Sequence, residues 1–468
     1  MATVRVFNHH VHSSFYWLAL ADAVTFVLAF YAGAYIYFLN EPGQFENYLV
    51  QIPLRALAFA LLTTLCLFAM GLYEPRMREG AAGILMRSVG GFTAATVILS
   101  VIFYWLPDLH LWRGIYFYTA IVAFTGHLAV RVAFKNLTDI EQLKSRVLVY
   151  GSGQAASIIT RAMRRRADRQ GFTIVGFVRA AGEEPVVEGE RIINLRQPLD
   201  EYTRQAHIDQ LVVAQDESRD GLDTQELFRC RMNGVKVYDL VNFFEREAGK
   251  VLVDYAGPAW MSFAHGFSSN SSSERAKRGF DLSVSFVLLM FAWPIMLLAA
   301  LAIWLEDGFG APVFFHQKRV GLHGRVFEVI KFRSMSVDAE GDGKARWATR
   351  NDSRITRVGN FIRRTRIDEL PQILNVLSGD MSFIGPRPER PEFVKELAER
   401  IPYYNARHSV KPGITGWAQL CYPYGASEND AKEKLQFDLY YIKNMSIFLD
   451  VIILLRTIKV VVRRQGAV

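Results

Sequence analysis

The chain has 468 residues, a net charge of +8 and a hydrophobic content of 51%. At roughly 100–200 residues per domain, this length predicts more than one domain. The three cysteines, Cys66, Cys230 and Cys421, lie far apart and fit neither a disulfide framework nor a metal-ligand spacing. This excludes a cystine-rich secreted protein and indicates a reducing compartment. The first apolar run lacks the basic region and the cleavage site that are typical of a signal peptide.

Four apolar stretches open the chain, and each approaches the roughly 20 residues that a membrane helix needs. They cover about 15–39, 54–73, 88–106 and 114–134. Basic residues follow the second and fourth stretches, whereas residues 40–53 carry acids and no basic residue. The positive-inside rule therefore predicts a four-helix transmembrane bundle over 1–140 with both ends in the cytoplasm. Asp22 lies within the first stretch, and an interfacial position or a neighbouring helix explains it more simply than a functional role.

Residues 145–262 have the pattern of a Rossmann-like α/β domain. Strands are expected at 146–150, 172–178, 210–214 and 235–239, in the order of a doubly wound sheet. The first strand runs into a Gly-x-Gly-x-x-Ala turn that begins at Gly151 and can place a phosphate at a helix N-terminus. The second strand ends at Arg179 without the acid that would bind a ribose hydroxyl. The pattern favours a structural or ligand-sensing domain over NAD-type binding.

A serine-rich stretch at 268–273 marks a linker that we place at 263–279. The apolar run from Leu282 to Leu305 then has the length of a membrane span. Pro294 lies at its middle, where it removes a backbone hydrogen bond, and basic residues flank both ends. A re-entrant helix over 280–305 that breaks at Pro294 satisfies this pattern, and so does a kinked spanning helix, because membranes tolerate prolines.

The positive charge is concentrated in the last part of the chain, residues 306–468. Residues 316–366 hold 13 lysines and arginines but only 5 acids, an excess equal to that of the whole chain. Glycines and apolar residues interrupt this segment, which indicates a folded anion-binding surface. Near the C-terminus, Arg456, Lys459 and Arg463 share one helical face within an apolar majority. This predicts a helix that lies in the membrane interface.

Two adjacent carboxylates, Asp368 and Glu369, follow a run of arginines that ends at Arg366. An aspartate can form an acyl-phosphate intermediate, and phosphoryl transfer also needs a metal and charge neutralisation on the phosphate oxygens. Lys331, Arg333 and Arg387 are candidates for the neutralising cations, and Glu369 for the metal ligand. The same cluster is also compatible with structural ion pairs on a solvated face. Glycosidase chemistry is disfavoured, because its carboxylates face each other across a bond.

Six ordered motifs resemble those of the bacterial sugar transferase family, the monotopic phosphoglycosyl transferases. They are Lys277-Arg278 with Asp281, Lys331-Phe332-Arg333-Ser334-Met335, Asp368-Glu369-Leu370-Pro371-Gln372, Gly379-Asp380-Met381-Ser382, Gly385-Pro386-Arg387-Pro388 and Lys411-Pro412-Gly413-Ile414-Thr415-Gly416. The resemblance is strong from Lys277 to Val462. The first 262 residues resemble, more weakly, the large members that initiate exopolysaccharide or capsule synthesis.

The resemblance implies transfer of a sugar-1-phosphate from a UDP-sugar to polyprenyl (undecaprenyl) phosphate. Asp368 would be the nucleophile, and Glu369 would hold Mg²⁺. The implied substrate-binding residues are Gln317, Arg319, Lys331, Arg333, Arg366, Pro386, Arg387 and Pro388. It also implies a re-entrant helix at Pro294 and a cytoplasmic catalytic domain on the bacterial inner membrane. One departure concerns Trp293-Pro294, where the family usually has Ser-Pro, so the break needs another partner for its freed carbonyls.

The predicted fold class is thus a membrane protein with α and α/β parts and a mainly helical catalytic domain. A membrane-anchored sugar-nucleotide dehydratase or epimerase is the main alternative. It would need a Tyr-x-x-x-Lys pair, and none of the 19 tyrosines has a lysine four residues later. A non-catalytic export scaffold would not need the motifs intact, and a nucleic-acid partner does not fit a basic segment between membrane-associated elements. Whether the chain forms a homodimer is left open by the sequence.

Overall fold

The computed structural model divides into two compact units, residues 1–6 with 10–243 and residues 7–9 with 244–468. The residues it describes are 3–6, 9–39, 42–49, 52–73, 81–105, 112–137, 144–163, 169, 171–180, 182–187, 191–216, 223–264, 266–267, 271–308, 310–336, 354–422, 425 and 427–462. Residues 336–352 are rich in aspartate and glycine, a composition typical of a loop, and all of them but Ser336 lie outside the described residues, as do the side chains of Lys459 and Arg463.

The first unit begins with apolar helices, as the hydropathy pattern predicts. Its elements in this part are β1 (Thr3–Val6), β2 (His9–His12), α1 (Ser13–Tyr37), α2 (Pro42–Leu49), α3 (Ile52–Ala69), α4 (Ala81–Trp105) and α5 (Arg113–Leu137). Helix α1 packs against α3 and α5, and α3 packs against α4. Phe26, Phe59 and Phe92 meet edge to face in the core they share. By length and composition, α1, α3, α4 and α5 can each cross a membrane.

A buried polar network ties these helices together around Asp22. The carboxylate accepts a hydrogen bond from the Tyr73 hydroxyl at 2.8 Å and lies 3.0 Å from His127 Nδ1. Arg131 Nη2 donates to it at 3.2 Å. His127 Nε2 lies 3.0 Å from the hydroxyl of Ser88 in α4. Asp22 is therefore fully buried and faces neighbouring helices, because a charge in this position needs partners from the surrounding chain.

The rest of the first unit is a parallel α/β domain. It contains β3 (Ser145–Tyr150), α6 (Gln154–Ala162), β4 (Phe172–Val178), β5 (Ile192–Ile193), α7 (Leu199–Gln205), β6 (Gln210–Val213), α8 (Thr224–Met232), β7 (Lys236–Asp239) and the start of α9 (Leu240–Ala248). Within the described residues the strand order is β5-β4-β3-β6-β7, and every neighbouring pair is parallel. All the predicted strands are confirmed, and the two-residue strand β5 is additional, too short for a periodicity to reveal.

Residues 244–262, predicted to end the α/β domain, fall in the second compact unit, and the domain boundary at 262 stays a prediction. Glu245 accepts a hydrogen bond from Asn444 Nδ2 at 3.0 Å and pairs with Lys443. Trp417 Nε1 donates to the Gly249 carbonyl at 2.8 Å. These contacts are distant in sequence, and they attach residues 244–262 to the C-terminal part of the chain.

In the part that the structure describes, the second unit is mainly helical, with two small sheets. Its elements are α10 (Pro258–Phe263), α11 (Ser271–Asp307), β8 (Phe314–Val320), β9 (Val326–Phe332), α12 (Arg357–Arg364), α13 (Gln372–Ser378), β10 (Ser382–Ile384), α14 (Pro391–Arg400), β11 (Gly413–Thr415), α15 (Trp417–Cys421), α16 (Glu428–Lys443) and α17 (Ile447–Val462), with 3-10 helices at Leu322–Gly324, Ile367–Glu369 and Tyr404–Ser409. Strands β8 and β9 form an antiparallel hairpin, and β10 and β11 are parallel.

Helix α11 begins at Ser271, so the second half of the predicted linker 263–279 is helical. Its first turns are held by side chains that the motif pattern singled out. Arg278 donates to the carbonyls of Val376 and Leu377, at the end of α13, and Asp281 accepts from the Phe383 amide at 3.1 Å. The structure records helix throughout Ser271–Asp307 with Pro294 inside it, and the re-entrant break at Pro294 stays a prediction.

Helix α17 uses two of its charges inside the fold. Asp450 is buried and pairs with Lys277 at 2.7 Å, and the Arg456 guanidinium lies over the Trp417 ring, 5.1 Å from its centroid. Among the described helices, α17 is not one of those long and apolar enough to span a membrane. The interfacial position of this helix stays a prediction.

The Asp22 network predicts a stability effect. Asp22→Leu leaves His127 and Arg131 without their common partner, and loss of one member of a buried ion pair costs about 3–5 kcal/mol. The buried thiol of Cys66 in α3 reports opening of these helices. Pulsed thiol labelling in mild denaturant, read at the Cys66 peptide by mass spectrometry, is expected to be much faster in the variant.

Thr93→Ala is the matched control, because the partner that the Thr93 hydroxyl has among the described residues is the Val89 carbonyl of its own helix. It should label Cys66 at the wild-type rate. Equal labelling of the wild type and Asp22→Leu would contradict the role of Asp22 in holding the helices together.

Candidate active site

The acid pair stands on a strained turn between two helices. Helix α12 ends at Arg364, and Arg366 then adopts a left-handed conformation with φ of 61°. Non-glycine residues seldom take positive φ, and such strain is concentrated at functional sites. The 3-10 helix Ile367–Glu369 follows, and the Glu369 amide donates back to the Arg366 carbonyl at 3.3 Å. Asp368 and Glu369 are therefore held on one rigid turn.

Three cationic side chains surround Glu369. Arg387 Nη2 donates to Glu369 Oε1 at 2.8 Å, Lys331 Nζ lies 3.5 Å from the same oxygen, and Arg366 Nη1 lies 3.9 Å from it. Burial alone would raise the pKa of Glu369, but these three charges outweigh it and hold the pKa well below its usual range. Glu369 is therefore an ionised carboxylate whose charge is already compensated.

Asp368 has the opposite environment. Its Oδ1 is buried, and no residue that the structure describes donates a hydrogen bond to it. Burial, and then the negative charge of Glu369, raise the pKa of Asp368 to about 6, against the opposing effect of Lys331, Arg366 and Arg363. Burial likewise lowers the pKa of Lys331, although Glu369 opposes that change. Two neighbouring carboxylates with separated pKa values indicate separate chemical roles.

The Pro386–Pro388 turn aims Arg387 at the acid pair. Arg407 is buried, and its Nη2 donates to the Arg387 carbonyl at 3.0 Å. Asp438 holds the Arg407 guanidinium at 2.9 Å. Because buried charges need paired partners, the Arg407–Asp438 pair fixes the position of the Pro386–Pro388 turn. Sequence reasoning missed Arg407 and Asp438, since neither lies in a motif near the acids.

Gln317 and Arg319 support the same turn. Arg319 Nη1 donates to the Pro388 carbonyl at 3.0 Å, and its Nε donates to Gln317 Oε1 at 3.1 Å. The Val320 amide donates to the Glu389 carbonyl at 2.9 Å. Both predicted residues therefore belong to the site's surroundings, and their proposed contact with substrate stays a prediction.

Glycines allow the backbone segments behind the turn to approach closely. A Cβ on Gly385 would overlap the Lys411 carbonyl, and a Cβ on Gly413 would overlap the Gly385 amide. The Gly413 amide donates to the Pro386 carbonyl at 2.9 Å. The two glycine-proline motifs at 385–388 and 411–416 thus meet in space and form one support for Arg387.

Arg333 pairs with Asp307. Its Nη2 donates to Asp307, at the end of α11, at 2.8 Å. The residue is buried, and its Nε and Nη1 have no hydrogen-bond partner among the residues that the structure describes. Buried donors of this kind normally have a partner, so Arg333 remains a candidate for an anionic ligand through these two nitrogens.

The carboxylates suit a divalent cation only together with a substrate. The described residues contain no group of three or more His, Cys, Asp or Glu side chains that would hold a metal ion by themselves. Mg²⁺ is usually bound by one or two carboxylates, with water and substrate phosphates completing the shell. Asp368 with its free Oδ1 and the neighbouring Glu369 fit that description.

Comparison with known proteins follows the same division of the chain. The sequence profile of the bacterial sugar transferase family matches residues 272–464. The chain is 42% identical over 246 residues to the UDP-N-acetylgalactosamine-undecaprenyl-phosphate N-acetylgalactosaminephosphotransferase of Aeromonas hydrophila, covering 52% of this chain and 56% of that protein. It is 35% identical over 329 residues to the undecaprenyl-phosphate glucose phosphotransferase of Komagataeibacter xylinus, covering 69% and 60%.

The chain thus spans somewhat over half the length of these two relatives. A shorter relative, the uncharacterized sugar transferase EpsL of Bacillus subtilis (strain 168), is 40% identical over 194 residues and is covered over 89% of its length. That stretch is 41% of this chain. The motifs, the profile match and this coverage show that the chain belongs to the bacterial sugar transferase family.

Proposed function

We propose that the chain transfers a sugar-1-phosphate from a UDP-sugar to undecaprenyl phosphate, through a phosphosugar held covalently on Asp368. The observation that carries this proposal is the contrast within the acid pair. Glu369 is neutralised by three cations, whereas the buried Oδ1 of the neighbouring Asp368 accepts no hydrogen bond from the residues that the structure describes. The names of the relatives from Aeromonas hydrophila and Komagataeibacter xylinus support an undecaprenyl phosphate acceptor.

The proposed reaction has two displacements at one phosphorus. Asp368 attacks the β-phosphorus of the UDP-sugar, a new aspartate O–P bond forms, and the bond to the bridging oxygen breaks, so that UMP leaves. A phosphate oxygen of undecaprenyl phosphate then attacks the same phosphorus. The aspartate O–P bond breaks, which frees the carboxylate and gives undecaprenyl-diphosphate-sugar. Splitting a transfer in this way replaces one difficult step by two easier ones.

The cations around Glu369 suit binding of the diphosphate. Arg387 presents a planar guanidinium on a rigid turn, which fits bidentate recognition of phosphate oxygens. Lys331 and Arg366 add charge at the same side, where negative charge develops during transfer. Mg²⁺ bound by Glu369 would further neutralise the phosphate oxygens.

The contacts of α11 support a re-entrant membrane helix. At 1.5 Å per residue its 37 residues are about 55 Å long, well over the roughly 30 Å of a bilayer core. Its first turns bind β10 and α13, and near its other end Ile303 packs against Val313 and Phe332. A straight crossing would place these two ends on opposite sides of the membrane, whereas both contact the same unit.

Exposed apolar residues lie between the two ends of α11. Phe286 is 70% exposed, Leu297 62% and Leu298 66%, as expected of a segment that faces lipid. A helix that enters and leaves by the cytoplasmic face of the inner membrane keeps Asp368 near the bilayer surface. There it meets a water-soluble UDP-sugar and an acceptor that stays in the lipid. The dehydratase or epimerase alternative is not favoured by any of these features.

The nucleophile assignment predicts a loss of chemistry. Full chain in nanodiscs with Mg²⁺ is expected to release UMP from UDP-glucose, UDP-galactose or UDP-N-acetylgalactosamine and to gain the mass of one phosphosugar. Asp368→Asn should abolish both, because the amide is not a nucleophile here. Glu396→Gln is the matched control, since this exposed acid lies outside the motifs and pairs with Arg400 of its own helix. Wild-type UMP release by Asp368→Asn, with the asparagine verified intact, would rule out the covalent route.

The raised pKa of Asp368 predicts an acid limb in the first step. Only the ionised carboxylate attacks, and its pKa is about 6. The rate of UMP release in a single turnover should therefore fall about tenfold per pH unit below pH 5 and become level above pH 7. Rapid-quench measurements between pH 4.5 and 8, with circular dichroism to verify folding, test this. A rate independent of pH across that range would contradict the shifted pKa.

The topology of α11 predicts equal accessibility of its two ends. In a chain with its native cysteines changed to serine, Ser272→Cys and Gly310→Cys should both be protected from a membrane-impermeant thiol reagent in intact cells and labelled in inverted vesicles. Gly43→Cys is the control with the opposite expected labelling, because the positive-inside rule places residues 40–53 outside the cytoplasm. Opposite labelling of residues 272 and 310 would mean that the helix crosses the bilayer.

A further inference from the structure

The glycine turn of the α/β domain lies where this fold binds ligands. Strand β3 is central, with β4 on one side and β6 on the other. In open α/β sheets the ligand crevice lies beyond the carboxyl ends of the strands, at this reversal of strand order. Gly151 to Gly153 follow β3, and Asp216 follows β6, so both segments lie at the crevice.

A carboxylate of the chain itself occupies the glycine turn. Asp216 Oδ2 accepts a hydrogen bond from the Gln154 amide at 2.6 Å, and its Oδ1 accepts one from the Ala155 amide. These are the first amides of α6, which lack intrahelical partners. No side chain from the residues next to the helix start caps it. The cap therefore comes from a residue more than 60 positions away in sequence.

Gly153 leaves the space that the Asp216 carboxylate occupies. In dinucleotide-binding folds the second glycine of the turn lets the backbone approach a pyrophosphate. Here a Cβ on Gly153 would overlap Asp216 Oδ2. The space that the glycine opens is thus filled by the aspartate carboxylate, which has the same charge sign and accepts the same amide hydrogen bonds as a phosphate.

A second carboxylate holds Asp216 in place. Glu183 Oε1 accepts from the Asp216 amide at 2.9 Å, and its Oε2 accepts from the Ser152 amide at 2.8 Å. Glu183 is buried. It follows β4, the strand whose end would supply the ribose-binding acid in a dinucleotide site. The acid of this region is therefore turned toward the glycine turn and braces it.

We propose that Asp216 is an internal substitute for a bound pyrophosphate and that, as a result, the α/β domain does not bind a dinucleotide. The Asp216 carboxylate requires glycine in this turn, because a Cβ on Gly153 would overlap its Oδ2. Removing that carboxylate leaves an open anion-binding site at the start of α6. The proposal is independent of the transferase reaction, because it concerns only residues 151–216 of the first unit.

Hydrogen exchange of the full chain in nanodiscs tests this proposal. In Asp216→Ala the amides of Gln154 and Ala155 lose their acceptor, and the peptide over 151–163 should exchange about fivefold faster, as for loss of an N-cap. Inorganic pyrophosphate, against potassium chloride of equal ionic strength, should restore protection in the variant and leave the wild type unchanged. NAD should give no protection in the wild type.

Asp223→Ala is the matched control. Asp223 caps α8 in the same domain by accepting from the Gln225 amide, and it is not part of the turn at 151–153. Its loss should speed exchange at α8 without rescue by pyrophosphate. Protection of the wild-type turn by pyrophosphate or NAD would overturn the proposal, since the anion-binding site would then be open to ligands. Unchanged exchange in Asp216→Ala would also overturn it. If that variant fails to fold, Asp216→Asn provides the same comparison.

Discussion

The neutralisation of Glu369 is the interaction on which the rest of the active site depends. Two adjacent carboxylates on one short turn would repel each other if both were ionised in a partly buried site. Arg387, Lys331 and Arg366 converge on Glu369, and this allows it to stay charged. Burial and the negative charge of Glu369 raise the pKa of Asp368. Its Oδ1 accepts no hydrogen bond from the described residues. The two neighbouring carboxylates therefore differ in pKa and can serve different chemical roles.

Several segments of the second unit fix the position of Arg387, one of the three cations around Glu369. Arg387 stands on a turn whose backbone is bonded by Arg407, Arg319 and Gly413. The glycines at 385 and 413 are required because the backbones touch. The same unit anchors both ends of α11. Under the proposed function, the site is therefore rigid and close to the lipid surface, as a reaction between a soluble donor and a lipid acceptor requires.

Local patterns predicted the features that depend on neighbouring residues. Hydropathy located the four apolar helices, short strand-like segments located four strands of the parallel sheet, and the adjacent acids after a run of arginines identified Asp368 and Glu369. The partners of Asp22 lie between 51 and 109 residues away, so no local pattern could identify them. Likewise, no local pattern could identify Asp438 as the partner of Arg407, or Asp216 as the partner of the glycine turn. Long-range pairing of buried charges is set by the tertiary fold, which periodicity does not encode.

The most direct test of the divided acid pair is a titration of the Asp368 carboxyl itself. Infrared difference spectra between the wild type and Asp368→Asn, recorded without substrate from pH 4 to pH 8, isolate its protonated C=O band. The predicted result is an Asp368 band that disappears with a midpoint near pH 6. Difference spectra between the wild type and Glu369→Gln should show no titrating C=O band of Glu369 above pH 4. A midpoint near the ordinary aspartate value of about 3.9, or a titrating Glu369 band in that range, would contradict the separation of the two carboxylates.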